Sequence, residues 1–71
     1  MNFYYLNPQA YDGFRFQIPF DTYIAADIMS WIEESLPNRR WRAGRYAIDT
    51  HRIYVELMDE QDLDYFLLKW S

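Results

Sequence analysis

The sequence predicts a small α+β domain: an antiparallel sheet in the chain order ββαββα, with both helices packed on one face. Two patterns carry this prediction. Phe14, Phe16 and Ile18, and later Ile53, Val55 and Leu57, recur at every second position, the period of a strand with one buried face. Each run then leads into apolar residues at helical spacing: Ile24, Ile28, Trp31 and Ile32 in the first case, Leu63, Phe66, Leu67 and Trp70 in the second. The halves correspond faintly at an offset of about 39 residues, with Phe16 matching Val55, Ile28 matching Leu67 and Trp31 matching Trp70. Two copies are too few for a solenoid.

In chain order, Asn2 to Leu6 is aromatic-rich and reads as a first strand. Asn7-Pro8 and Asp12-Gly13 mark the loop into a second strand, which Pro19 is expected to end because it cannot donate to a ladder. Asp21 or Thr22 is the expected cap of a helix running to about Ser35, stopped by Pro37 and Asn38. Arg39 and Arg40 then lie where a helix dipole favours positive charge. Trp41 to Ile48 reads as a third strand, with Gly44 as a candidate bulge. Asp49-Thr50-His51 turns the chain into the fourth strand. Asp59, with Asp62 three residues on, resembles a capping box that opens the last helix. The expected core unites Ile28, Trp31, Ile53, Val55, Phe66, Leu67 and Trp70.

Seventy-one residues make one domain, 1–71. A chain this short buries roughly 60% of its unfolded surface, and a stability of about 4–10 kcal/mol is expected. Fifteen aromatic residues are many for so small an interior, so some should be exposed, and clustered exposed rings mark binding surfaces. Tyr4, Tyr11, Tyr23, Tyr54 and Tyr65 are the candidates, with Tyr4 and Tyr54 expected on the sheet face opposite the helices. There is no cysteine, so neither disulfides nor thiolate metal sites enter, which fits a reducing compartment. No apolar run approaches the roughly 20 residues of a membrane span, and the N-terminus lacks the pattern of a secretory signal. A cytoplasmic location is expected.

The net charge of −4 is unevenly placed. Residues 39–52 hold Arg39, Arg40, Arg42, Arg45 and Arg52 against Asp49 alone, whereas residues 56–64 hold five acids and no base.

The last segment, MDEQDLDYFLLKW, has an acidic helix start, an apolar-aromatic pattern and a terminal tryptophan. In this it resembles the endings of small uncharacterised proteins of tailed bacteriophages. The resemblance is confined to this C-terminal segment and to packing residues. It implies a phage origin and, through it, a protein that binds and redirects a host protein. Some such proteins inhibit bacterial defence complexes.

Catalysis and metal binding have little support in the residues. His51 stands near Asp49, an arrangement able to orient a general base, but no serine or cysteine nucleophile has a recognisable context. Asp59, Glu60, Asp62 and Asp64 lack the glycine turn and terminal glutamate of a calcium loop, and dipole and capping account for them. No catalytic residue, cofactor or metal is therefore assigned. The expected function is non-enzymatic binding of a host protein, with Arg39, Arg40, Arg42, Arg45, Tyr54, Asp64 and Tyr65 as partner-binding residues; tyrosine and arginine are enriched at interface hot spots. The alternative is an RNA- or DNA-binding regulator using Arg39 to Arg45 with Trp41 and Tyr46 for phosphate contact and stacking. Mimicry of DNA by the acidic helix is a third reading, interrupted by the arginine cluster. The exposed rings also fit a homodimer seam.

Overall fold

The computed structural model describes residues 4–70. Its elements follow the predicted order: strands β1 (Tyr5–Leu6) and β2 (Phe16–Asp21), a 3₁₀ turn (Thr22–Ile24), helix α1 (Ala25–Ser35), strands β3 (Trp41–Arg45) and β4 (Arg52–Leu57), and helix α2 (Glu60–Trp70). The strands form one antiparallel sheet in the order β1-β2-β4-β3, so each ββα half gives a hairpin and the halves join through the central β2·β4 pair. Of the strand predicted over Asn2 to Leu6, Asn2 and Phe3 lie outside the described residues.

Burial along β4 alternates strictly, with Ile53, Val55 and Leu57 inside and Arg52, Tyr54 and Glu56 half-buried on the other face. Across the central pair Phe16 lies opposite Leu57, Ile18 opposite Val55 and Phe20 opposite Ile53. Ile28 and Ile32 of α1, Leu36, and Leu63 and Phe66 of α2 close over these six side chains. Trp31, Leu67 and Trp70, expected at the centre, are half-buried at its margin. The Trp31 ring meets Phe66 at 5.9 Å and Trp70 at 6.2 Å, both edge-on, so the tryptophans matched between the halves are in contact.

Several local expectations are corrected. Pro19 does not end β2; it is buried mid-strand opposite Tyr54. The N–H of Thr22 donates to the His51 carbonyl at 3.0 Å, continuing the β2·β4 ladder. Even-numbered residues of β2 therefore hydrogen-bond toward β4, and Pro19, at an odd position, turns its missing N–H the other way, past the point where β1 pairing is recorded at Gln17. Gly44 makes no bulge, because it pairs in register with Tyr54. β3 stops at Arg45 rather than Ile48, which is fully exposed in the loop to β4.

Helix α1 is not capped as predicted, whereas Asp59 does hold the N-cap position of α2. Asp21 makes no side-chain cap. The Thr22 hydroxyl donates instead to the His51 carbonyl at 3.2 Å, fastening the helix entry to β4. At α2 the Asp59 carbonyl accepts the Leu63 N–H, but its carboxylate takes a two-pronged contact from Arg40, at 3.0 and 2.6 Å. Arg40 therefore serves Asp59 rather than the α1 dipole. Asp62, read from the sequence as part of a capping box, is fully buried. One of its oxygens accepts the backbone N–H of Asn38 at 3.2 Å and the Asn38 side-chain amide at 3.1 Å. The α1–β3 connection is thus pinned to the start of α2, and Arg39 between the two anchors adopts the left-handed conformation, φ 56°.

Candidate binding face

Both helices lie on one side of the sheet, so the side chains pointing the other way meet no helix. The register assigns Tyr5, Gln17, Tyr54, Glu56, Arg42 and Gly44 to this open face. The same alternation carries Tyr46 onto it from the end of β3.

At its centre the Tyr46 and Tyr54 rings pack edge-on at 5.1 Å, and the Tyr46 hydroxyl donates to the Gln17 side-chain oxygen at 3.4 Å. Burial raises the Tyr46 phenol above its ordinary 10.0, Arg52 opposing the shift, so the ring is neutral and able to donate. Gly44 is required here, because a Cβ at this position would strike the end of the Tyr54 ring. Beside the tyrosines lies a cleft of about 520 Å³ lined by Tyr5, Gln17, Tyr46, Arg52 and the loop residues Ala47, Ile48 and Asp49.

Toward the other end, Arg42 is held on three sides. Its guanidinium contacts Glu56 at 2.9 Å and Asp12 at 2.7 Å and lies 4.3 Å from the Phe14 ring centre. The hydrogen bond to Glu56 leads in raising the Arg42 pKa further. The Phe14 N–H, donated to Asp12 at 3.1 Å, leads in lowering that carboxyl below 3.8. The Asp12 turn depends on Gly13, whose φ of 82° suits glycine.

The expected partner-binding residues are spread over the molecule. Arg42 and Tyr54 share the open face. Arg45 lies on the helix side of β3, Arg40 is held by Asp59, and Arg39 sits exposed in the pinned loop with a left-handed backbone. Asp64 and Tyr65 are exposed on α2. Tyr4, expected on the open face, packs edge-on against core residue Phe16 at 6.0 Å; Tyr5 holds the open position instead, since a one-residue shift reverses a strand's faces. Trp41 and Tyr46, both used in the nucleic-acid reading, fall on opposite faces, as strand alternation predicts, with Trp41 packed against the core. Asp49 directs its carboxylate at the His51 backbone N–H, 3.0 Å away.

Sequence reasoning missed Tyr5, Gln17 and Arg52 as parts of one surface. Strand alternation was the available signal for Gln17 and Arg52; for Tyr5 the register of β1 was also needed. Among the described residues no three acidic, histidine or cysteine side chains converge as a metal site, and no helix is long and apolar enough to cross a membrane. No family model, curated protein or solved structure matches the chain.

Proposed function

We propose that this chain is a non-enzymatic binding protein that docks on one host protein through its open sheet face. The observation that carries the reading is the uncovered face itself. It presents Tyr5, Tyr46 and Arg52 in the lining of a cleft, with Tyr54 packed against Tyr46 and Arg42 toward the other end of the face. Tyrosine and arginine in a prearranged surface give large contact area at small ordering cost. The phage-like C-terminal pattern supports a partner in the cytoplasm of an infected cell, with a bacterial defence complex as the kind of target such proteins take.

The nucleic-acid reading has weaker support. Arg40 and Arg42, the middle of the arginine run, already hold Asp59, Glu56 and Asp12. A phosphate would have to displace those carboxylates, and the chain as a whole carries −4.

Affinity capture from bacterial lysate, with and without nuclease, tests the proposal. The expected result is one protein retained after nuclease treatment by the wild type and by Tyr23→Ser, a change of an exposed tyrosine on the 3₁₀ turn, and lost with Tyr46→Ser. Retention that vanishes with nuclease would favour the regulator reading.

A further inference from the structure

The outer edge of β3 carries a pattern that fits a second copy of itself. We infer that the protein forms a twofold dimer by antiparallel pairing of β3 with β3 of another copy, centred on Ala43.

The hydrogen-bond phase of the sheet leads to this register. The Thr22–His51 bond places the even residues of β2 and the odd residues of β4 in mutual hydrogen bonding. The even residues of β4 therefore turn toward β3 and meet the even residues there, Arg42 opposite Glu56 and Gly44 opposite Tyr54. The backbone N–H and C=O groups of Trp41, Ala43 and Arg45 are left on the outer edge, for β3 ends the sheet. A twofold axis at Ala43 sets Ala43 against Ala43, and Trp41 against Arg45 in both directions. All three outward-pointing residues then find a partner. An axis at Arg42 opposes like charges, and one at Gly44 leaves Trp41 without an outward-pointing strand partner.

The side chains agree with this register. Trp41, Ala43 and Arg45 share the helix side, so each Arg45 guanidinium lies over the partner's Trp41 ring. Arg45 has no ion pair or hydrogen bond among the described residues. Of the usual guards of a free edge, β3 has no proline and no bulge, the charge of Arg42 is matched by Glu56 and Asp12, and the one unmatched charge, Arg45, is the residue that this register sets on the partner's Trp41. Beneath the edge a cleft of about 420 Å³ between Ala25, Ala26 and Met29 of α1 and Ala43 and Ile53 of the sheet gives the second α1 small residues to approach. The other sheet edge, β1, is two residues long. The dimer would carry one continuous eight-stranded sheet with all helices on one side. The open face is left free, so this inference stands apart from the binding proposal.

Sedimentation of the full chain between roughly 1 and 100 μM, where mass action shifts a moderate dimer, is the test. The mass should rise from 8.8 kDa to twice that value. Ala43 is exposed, so Ala43→Glu and Ala43→Lys should each fold, with wild-type circular dichroism, and each remain monomeric, because identical charges face each other at the axis. Mixed in equal amounts they should recover the dimer mass. Arg45→Glu, which removes the contact with the partner's Trp41, should weaken the wild-type dimer. A wild type that stays monomeric across the range, Ala43 variants that dimerise alone, or a mixture that does not pair would each overturn the inference. So would an edge that takes up an extended peptide but not a second copy.

Discussion

Gly44 and Tyr54 occupy one space on the open face, and the tyrosine holds it because the glycine has no side chain. Gly44→Ala should cost about 1–3 kcal/mol, the range for overpacking. The penalty should largely vanish in a Tyr54→Ser background, and urea denaturation of the double-mutant cycle reads that coupling. Tyr46 gives a second residue-level test. Its phenol is pushed above 10.0 by burial, so its contribution to stability is complete below pH 10 and is lost as pH rises through the higher folded value. Ultraviolet titration should show a late tyrosinate component in the wild type that is missing in Tyr46→Phe; Tyr46 ionising together with the exposed tyrosines would contradict the packing. Asp62 is a third. Asp62→Ala strips the Asn38 N–H of its acceptor and should cost about 1–3 kcal/mol by denaturant unfolding. The sequence placed Asp62 in the first turn of a helix but could not show which way it faced, because its partner Asn38 is 24 positions away. Asp59 holds its expected N-cap position, but the long-range arginine that meets its carboxylate was equally hidden.

At the scale of elements, the order of strands and helices was legible because two periodicities switch cleanly, from alternation in β4 to helical spacing in α2. That spacing puts Phe66 in the core, where it is wholly buried, and Phe66→Ala should cost about 3–5 kcal/mol in thermal or urea unfolding. A loss below about 1 kcal/mol would refute the helix phase. Element ends were less legible. Pro19 argues locally for a strand end, yet the phase of the ladder turns its missing donor away from β4. Gly44 suggests a bulge until Tyr54 is seen across from it. In both cases the deciding information is a cross-strand neighbour, and a single sequence does not state its register.

Over the whole molecule, the oppositely charged segments seen in the sequence become neighbours. Arg40 meets Asp59 and Arg42 meets Glu56, so the fold joins much of the basic run to the acidic run. These pairs are exposed enough to add little stability. Their larger effect is to remove positive charge from what looked like a polyanion site. Binding to random single strands should accordingly stay weaker than about 10 μM at physiological salt, well short of dedicated sites. Submicromolar affinity with a steep salt dependence would restore the nucleic-acid reading. The sequence foresaw that one sheet face would stay open, but Tyr4 stood where Tyr5 belongs, and the cleft beside Gln17 needed three strands and a loop assembled.

If the chain binds as proposed, the open face touches the partner. Photo-crosslinking reads that contact most directly, with a photoreactive residue placed at position 46 in one variant and at position 23, on the exposed 3₁₀ turn, in another, each exposed to bacterial lysate. A single nuclease-resistant protein adduct is expected from position 46 and none from position 23. An adduct that forms equally from both positions, or only from position 23, would contradict the proposal.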